Sequence, residues 1–259
     1  MSFLSIIPTS IKNSREGRAV ERAEWLKQMR GKAEKLYDHL SPQYWVEFGL
    51  YPDETHREYL RKFLERLAPH GSLLSAGCGA GRYDGKLLAA GHRVLGIDQS
   101  EGMLERARQH FPAVHYRKLG LQEMDFWEEF EGAICLDALE HVCPEDYPGI
   151  LRRFREALKP DGLLYFTLDL ADANQLQAAY QRAKARGLPV VLGEVVDELD
   201  AAYEKSLGMP LVPGQLADKA VYHYYPGVER VRIWIEQAGL AIEMEGTGDG
   251  YEHFVVRRN

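Results

Sequence analysis

The sequence predicts a doubly wound α/β protein with a mostly parallel sheet, a helical N-terminal lid and a helical insertion. Short apolar runs alternate with helical segments from Ser72 to Asp169, which is the rhythm of βαβ units. A glycine-rich turn follows the first run, and two closely spaced runs near the end of the chain predict an antiparallel hairpin. We therefore divide the chain into a lid (1–70), an α/β core (71–169), an insertion (170–226) and a segment that completes the core (227–259).

The lid is predicted to contain two helices. Apolar residues recur at helical spacing among charged ones through residues 15–40, and again through residues 55–68. The second helix is expected to stop at Pro69 and Gly71. An aromatic stretch punctuated by Pro42 and Pro52, SPQYWVEFGLYPDE, separates the two helices.

The core is predicted to supply five parallel strands. The runs are SLLSAG, RVLGID, VHYRKL, GAICLDA and LLYFTLD. The helix before the fifth run is well marked, because apolar residues line one face and the sequence KPDG ends it. A sheet built this way binds its ligands at the carboxyl ends of the strands.

The alternation of apolar runs and helical segments ends after the fifth run. Residues 170–226 are too long for a loop in a compact domain, so we expect them to form a helical cover over the sheet. The pattern then resumes with the helix VERVRIWIEQAG and the strands LAIEMEGT and YEHFVVRR, which are joined by the turn GDG. This pair predicts the antiparallel hairpin at one edge of the sheet.

Composition excludes several classes of function. The chain of 259 residues carries a formal charge of −7, so no broad basic surface is expected for nucleic acid or an anionic membrane. The sequence has no apolar run of about 20 residues and no signal-like opening, which favours a cytoplasmic protein. Its three cysteines, an odd number, suit a reducing compartment, and the lack of CxxC spacing predicts no metal site.

The glycine turn AGCGAG predicts a nucleoside-containing ligand. Gly77, Gly79 and Gly81 permit a tight turn and let a ligand lie against the backbone. Asp98 follows Gly77 by 21 residues, at the end of the second run, where a carboxylate can bind both hydroxyls of a ribose. The dinucleotide fingerprint GxGxxG requires a glycine where Arg82 stands, so a nicotinamide oxidoreductase is disfavoured.

The combination of motifs resembles the class I S-adenosylmethionine-dependent methyltransferases that act on small molecules. The shared pieces are the GxGxG turn, the acid at the second strand end, and the stretches DQSEGMLERAR, LDALEHV and LKPDGLLYFTL. The resemblance spans roughly residues 37–258 and implies a Rossmann-like seven-stranded sheet. It also implies S-adenosylmethionine as the cofactor and S-adenosylhomocysteine as the product.

The resemblance also implies which residues bind the cofactor. The expected set is Tyr37, Tyr44, Gly77, Cys78, Gly79, Gly81, Arg82, Asp98, Gln99, Met103, Leu121, Gln122, Asp137 and Ala138. Asp98 would bind the ribose, and the glycine turn would contact the methionine part. Asp137 and Ala138 would flank the methionine amine and the methyl group.

The remaining members of the set have adenine or lid roles in this resemblance. Gln99 and Met103 would flank the adenine, with Leu121 and Gln122 along its edge. A tyrosine on an N-terminal helix closes over the cofactor in similar enzymes. The candidates for that role are Tyr37, Tyr44 and Trp45.

Two positions depart from the family pattern. The family usually has an acid where Ser75 stands, at the end of the first strand. It also often has an aspartate, which binds the adenine amine, where Gly120 stands. A hydroxyl or a backbone carbonyl would have to substitute at these positions.

A catalytic base is required only when the methyl acceptor carries a proton that it cannot lose alone. The polar candidates in segments expected to face the pocket are His141, His223, His253 and Glu194. For each of these residues, a structural role is an open alternative.

The sequence thus predicts a methyltransferase acting on an oxygen or nitrogen atom of a small molecule, as a monomer or homodimer. One alternative stays open, in which the protein binds S-adenosylmethionine or S-adenosylhomocysteine without methylating, as a sensor or a catalyst of another reaction. Ser75 and Gly120, the two departures from the family pattern, are the features that keep this alternative open.

Overall fold

A computed structural model of the chain describes residues 9–48, 54–197 and 219–259. Its helices are α1 (Thr9–Phe48), α2 (Glu54–Leu64), α3 (Asp84–Ala89), α4 (Glu101–His110), α5 (Tyr147–Ala157), α6 (Ala173–Ala185) and α7 (Val228–Gln237). Short 3₁₀ helices span Leu121–Glu123 and Leu139–His141. The strands are β1 (Ser72–Ala76), β2 (Arg93–Asp98), β3 (His115–Lys118), β4 (Phe130–Cys135), β5 (Leu158–Asp169), β6 (Glu194–Asp197), β7 (Val221–Tyr224), β8 (Leu240–Gly248) and β9 (Tyr251–Arg258).

Seven of these strands form one sheet in the order β3-β2-β1-β4-β5-β9-β8. Strands β1 to β5 are parallel, whereas β9 pairs antiparallel with β5 and β8 pairs antiparallel with β9. The strand order reverses between β1 and β4, and the crevice at that point is where doubly wound sheets bind ligands. The predicted fold class is therefore confirmed.

The sheet is covered on both faces, as its apolar strands require. Alternate residues of β5 belong to two separate apolar clusters: Leu164 and Phe166 to one, Leu163 and Tyr165 to the other. The first cluster is completed largely by α5 and α7, and the second by α2, which contributes Phe63. Two buried faces explain why the strands read as continuous apolar runs rather than as alternating patterns.

Helix α1 is longer than the sequence predicted, because it continues through Pro42 to Phe48 instead of ending near residue 40. A proline within a helix leaves the carbonyl four residues earlier without its N–H partner. Here that carbonyl belongs to Asp38, and the hydroxyl of Ser41 donates to it over 2.9 Å. This local bond replaces the missing one and lets the helix carry its aromatic residues over the sheet.

The insertion is mixed rather than wholly helical, which corrects the expected helical cover for residues 170–226. Helix α6 forms as predicted, but β6 and β7 then pair as a small antiparallel sheet, with Val195 opposite His223. The valine-rich sequence around β6 has the β-branched residues that favour a strand over a helix. Residues 198–218 of the insertion lie outside the described residues.

The small sheet is attached to α1 by a buried ion pair. The guanidinium of Arg22 donates to both carboxylate oxygens of Glu194 over 2.8 and 3.0 Å. Glu194 is fully buried and also accepts from the hydroxyl of Tyr222 and the N–H of Val191. Arg22 makes a second, more exposed pair with Glu145. Lid and insertion therefore depend on each other for their position.

No helix in the described part of the chain is both long enough and apolar enough to cross a membrane.

Replacing Glu194 with glutamine should destabilise the protein strongly. The variant leaves the charge of Arg22 in a largely buried site without its main partner, which costs about 3 kcal/mol for pairs of this kind. Glu145→Gln is the matched control, because Glu145 is half exposed and exposed pairs contribute about 0.5 kcal/mol. Urea denaturation of both variants measures the difference, and equal losses would show that the buried pair does not hold the insertion.

Candidate functional site

A cavity lies at the carboxyl ends of β1, β2 and β4, beneath α1. It is lined by Arg30, Tyr37, Tyr44, Gly77, Gly79, Asp98, Gln99, Met103, Leu119, Gly120, Leu121, Gln122, Asp137, Ala138, His141 and Val142. Most residues that the sequence assigned to the cofactor are therefore brought together. Arg30, Leu119 and Val142 were missed, because nothing in their local sequence distinguishes them from surface or core residues.

The glycine turn forms the floor of this cavity. Gly77, Gly79 and Gly81 have φ values of +64°, +53° and +84°, which favour glycine. A Cβ on Gly77 would lie only 2.6 Å from the Cβ of Ala138, so the turn also needs glycine to approach the end of β4. Gly81 does not line the cavity, and its contribution is the shape of the turn.

Cys78 and Arg82 line a smaller recess that adjoins the main cavity. The recess shares Tyr44, Gly77 and Asp137 with the main cavity, so the two spaces are neighbours. Burial raises the pKa of the Cys78 thiol well above its ordinary value, which keeps it neutral. Cys78 therefore acts by its small size and not as a nucleophile.

Asp98, at the carboxyl end of β2, is held in place by two backbone N–H donors. One carboxylate oxygen accepts from the N–H of Gly79 over 2.9 Å, and the other accepts from the N–H of Ser100 over 2.8 Å. Burial raises the pKa of the carboxyl, and these two bonds oppose that effect. Each oxygen keeps accepting capacity for a further hydroxyl, which is the requirement for a ribose diol.

Asp137 lines the cavity, and its carboxylate also joins several neighbouring elements. One of its carboxylate oxygens accepts from His56 (2.8 Å) and Thr167 (3.2 Å), and the other accepts from Arg82 and Tyr83 (3.0 Å each). Burial by itself would raise the pKa of Asp137, but His56 and Arg82 outweigh burial and lower it. The carboxylate thus holds neighbouring elements together at the wall of the cavity.

Helix α1 closes one side of the cavity with Tyr37 and Tyr44, whose rings meet edge to face with centroids 6.2 Å apart. The helix is attached beside Asp98 by Asp38, which accepts from the Ser100 hydroxyl over 2.6 Å and from the Gly102 N–H over 2.9 Å. These donors belong to the first turn of α4, where the helix dipole favours a carboxylate. The lid is therefore fastened next to Asp98.

Trp45, the third predicted lid aromatic, does not line the cavity. Its ring stacks on His110 with centroids 4.0 Å apart and meets the edge of Phe111. Residue 45 lies one position beyond Tyr44, about 100° further around the helix, which turns the indole away from the cavity.

The two departures from the family pattern have structural counterparts. Beneath the turn, the fully buried carboxyl of Asp84 accepts from the Tyr116 hydroxyl over 2.8 Å and interacts with Ser75. An acid is thus present next to Ser75, but it comes from α3. At Gly120, an added Cβ would lie 2.2 Å from a carboxylate oxygen of Glu123, which occupies that space.

His141 lines the cavity and has both ring nitrogens engaged. Its Nδ1 is 3.2 Å from the carbonyl oxygen of Tyr222, so Nδ1 carries the proton and donates it. Its Nε2 then accepts from the hydroxyl of Tyr37 over 2.8 Å. Burial lowers the pKa of His141 to about 4, so the ring is neutral near neutral pH.

His223 packs beside His141, with ring centroids 4.8 Å apart. Burial, followed by the neighbouring His141, lowers the pKa of His223 to about 3. Its Nδ1 lies 3.2 Å from the hydroxyl of Tyr225. The sequence-predicted candidates His141 and His223 are therefore neighbours, but of the two only His141 is among the residues that line the cavity.

The other two predicted bases lie elsewhere. His253 is fully buried under α2, where its Nε2 donates to the Gly248 carbonyl and its Nδ1 accepts from the Tyr165 hydroxyl. Glu194 is the buried partner of Arg22. Neither residue lines the cavity, and the hydrogen-bond partners of both lie within the fold. For His253, strand alternation was compatible with an inward side chain, but it did not indicate which face of the sheet was inward.

Residues 73–162 match a family model described as a methyltransferase domain. A malonyl-[acyl-carrier protein] O-methyltransferase of Erwinia pyrifoliae is 32% identical over 133 residues, which are 50% of this chain and 50% of that protein. A ubiquinone biosynthesis O-methyltransferase of Actinobacillus pleuropneumoniae is 32% identical over 105 residues, 37% of this chain and 44% of that protein. The chain thus spans about half the length of the curated relatives it matches.

Solved structures share the fold over nearly the whole chain. A DhpI complex with S-adenosylhomocysteine has a TM-score of 0.65 at 15% identity and covers 90% of this chain and 98% of that one. A Burkholderia thailandensis 1,6-didemethyltoxoflavin N1-methyltransferase has a TM-score of 0.55 at 16% identity, covering 100% and 93%. The predicted fold is therefore confirmed, and residues 73–162 match a methyltransferase domain as the resemblance implied.

Asp84 should make stability depend on pH in the acidic range. Burial raises the pKa of Asp84 from 3.8 to about 6, so its contribution to folding is fully present below pH 3.8 and is lost as pH rises through 6. In Asp84→Asn this loss is absent. The free energy of unfolding of the variant, relative to that of wild type, should therefore increase by about 3 kcal/mol between about pH 4 and about pH 7.

Urea denaturation across that pH range measures this difference. Asp125→Asn is the control, because that carboxylate is mostly exposed and should follow the wild-type curve. If the curve of Asp84→Asn also runs parallel to wild type, the buried carboxyl does not titrate as described.

Proposed function

We infer that this chain, which through residues 73–162 belongs to the S-adenosylmethionine-dependent methyltransferase family, transfers a methyl group to an oxygen or nitrogen atom of a small molecule. The observation that carries this proposal is the cavity at the crevice of the sheet. There Asp98 stands at the end of β2 beside the N–H of Gly79, under an aromatic lid.

The cavity wall suits each part of S-adenosylmethionine. Asp98 offers two acceptor oxygens for a ribose diol, and Met103, Leu121 and Val142 offer apolar surface for adenine. The glycine turn leaves room for the methionine chain against the backbone. Arg82, in the adjoining recess, is a cation of the type that binds carboxylates.

When bound, S-adenosylmethionine supplies a methyl group that is already activated by its sulfonium. The chain must therefore hold the acceptor in line and keep water away. Tyr37 and Tyr44 cover the cavity from α1, and the bonds of Asp38 to α4 hold that cover down. Neutral His141 adds a polar wall without placing a positive charge beside the sulfonium.

A small acceptor is favoured by the enclosure of the site. The lid and the insertion are joined by the Arg22–Glu194 pair, so the site is covered from two directions. A second cavity of about 490 Å³ adjoins the first and shares Arg30, Gln122 and His141 with it. Concave sites of this size are typical of small-molecule binding.

The relatives support oxygen or nitrogen as the methylated atom. Two curated relatives are named as O-methyltransferases, and the Burkholderia structure is named as an N1-methyltransferase. The acceptors in those names belong to those proteins.

Asp98→Asn should weaken binding of S-adenosylhomocysteine, because a neutral amide loses a charged hydrogen bond to the ribose. Such bonds contribute about 1.5–3 kcal/mol, so the dissociation constant should rise about tenfold to a hundredfold. Isothermal titration calorimetry measures it, with Asp125→Asn as the exposed control that should bind like wild type. Equal affinities for all three proteins would place the ribose elsewhere.

Methyl transfer itself is tested with tritiated S-adenosylmethionine and a panel of phenols, carboxylic acids and azoles. We expect wild type to label at least one class and Asp98→Asn to lose that activity. Tight binding of S-adenosylhomocysteine without labelling of any acceptor would instead support the non-methylating alternative.

A further inference from the structure

We propose that the second cavity holds the body of the methyl acceptor, and that Lys27 and Arg30 of α1 bind a carboxylate on it. This inference rests on the proposed methyl transfer. It narrows the acceptor from any small molecule to a small aromatic acid.

The second cavity lies where the body of an acceptor must extend. It shares Arg30, Gln122 and His141 with the first cavity, so these residues mark the junction of the two spaces. Methyl transfer requires the reacting atom of the acceptor in line with the methyl group and the sulfur. With the cofactor in the first cavity, an acceptor that reacts at the junction has the second cavity for the rest of its structure. The volume of about 490 Å³ suits a small molecule.

Helix α1 covers both cavities with one face. Ala23, Arg30, Tyr37 and Tyr44 are each seven positions apart, close to two helical turns, so they lie on the same side of the helix. Ala23 and Arg30 line the second cavity, whereas Arg30 and the two tyrosines line the first. Lys27 lines only the second cavity, three residues before Arg30, and side chains at that spacing are neighbours. The helix therefore presents two adjacent cations to the second cavity.

Most other charged groups of this cavity wall already have partners. Glu145 uses both carboxylate oxygens to accept from Arg22, over 2.6 and 3.1 Å. Arg22 in turn uses all three guanidinium nitrogens, on Glu145, on Glu194 and on a backbone carbonyl. Asp146 accepts from the side-chain amide of Gln122 over 3.2 Å. These groups therefore neutralise or bond one another within the wall.

Lys27 and Arg30 keep donors for a ligand. Among the side chains that the structure describes, Lys27 has no ion-pair partner. Arg30 pairs through Nη1 with Glu123, which does not line the cavity, and both side chains of that pair are more than a third exposed. Its Nε and Nη2 form no bond with the described side chains. That edge of a guanidinium binds a carboxylate through two parallel hydrogen bonds.

The rest of the wall suits an aromatic ring. Leu26 and Met29 of α1 and Tyr222 of β7 supply apolar and aromatic surface. The Tyr222 ring is fixed, because its hydroxyl donates to Glu194 over 2.6 Å and its edge contacts Trp25, with centroids 6.1 Å apart. A planar ring can pack against such a surface while its acidic group reaches the two cations.

A positively charged acceptor is disfavoured by the same arrangement. It would face the charges of Lys27 and Arg30, and it would compete with Arg22 and Gln122 for the two acids of the wall. The two cations do not belong to a generally basic protein, because the chain carries a formal charge of −7. Their place at this cavity is therefore specific.

Three probes with the same ring test the charge preference: para-hydroxybenzoate, para-hydroxybenzamide and para-hydroxybenzylamine. The full chain, saturated with S-adenosylhomocysteine, is titrated with each, and saturation-transfer difference NMR gives the dissociation constants. The benzoate should bind about tenfold more tightly than the amide, because hydrogen bonds between charged groups are stronger than neutral ones. The amine should bind most weakly. Interligand NOEs between the benzoate ring and the methylene protons beside the sulfur should place the probe at the junction.

Matched variants identify the residues responsible. Lys27→Gln and Arg30→Gln should each reduce the preference for the benzoate over the amide, and the double variant should abolish it. Lys32→Gln is the control, because it removes the same charge from the same helix but lines neither cavity. The control should keep the wild-type preference. The ratio of two affinities is used because general damage to the cavity would weaken both probes alike.

The outcomes separate this inference from the function on which it rests. Failure of wild type to bind S-adenosylhomocysteine would overturn the proposed function. With that binding intact, no binding of the benzoate, equal affinities for the three probes or tightest binding of the amine would overturn only the assignment of the acceptor. So would a preference that survives in the double variant, or one that Lys32→Gln reduces as much as Lys27→Gln does.

Discussion

The carboxylate of Asp137 is the point at which the elements around the site are joined. It binds His56 of α2, Arg82 and Tyr83 beyond the glycine turn, and Thr167 of β5, while Asp137 itself follows β4. Its backbone has a φ of +53°, which is unfavourable for a residue with a Cβ and persists only where surrounding bonds over-determine it. The N–H of Asp137 donates to the Thr167 hydroxyl, so backbone and side chain are both held. The shape of the crevice depends on these bonds.

A second set of bonds turns the N-terminal helix into a wall of the site. Asp38 accepts hydrogen bonds from the first turn of α4, immediately after Asp98. The hydroxyl of Ser41 donates to the backbone carbonyl that Pro42 leaves without an N–H partner. At the other end, Arg22 reaches the buried Glu194 of the small sheet. Because one helix contacts both the core and the insertion, closure over the cavity involves both. This coupling explains how polar groups from distant parts of the sequence, among them Tyr37, Asp98 and His141, share one enclosure.

The sequence predicted best those parts of the site in which the residues that shape the backbone are also the residues beside the cavity. Glycines at a strand–helix turn and an acid at the next strand end have local signatures, and both line or shape the cavity. Side chains that act through partners far along the chain have no such signature. His56 meets Asp137 across 81 residues, and Glu194 meets Arg22 across 172. For the same reason, His253 was a plausible base until its partners under α2 were known.

The sequence by itself determined the α/β class, the glycine turn with Asp98 and hence the kind of cofactor, because periodicity and turn chemistry act between near neighbours. It did not determine which face of each strand is buried against which helix. Tertiary structure decided that His141 lines the cavity while His253 does not. It also placed Asp84 beneath the turn, beside Ser75, where the family usually has an acid. These outcomes depend on packing and on desolvated hydrogen bonds between distant segments, and such contacts exist only once the chain has folded.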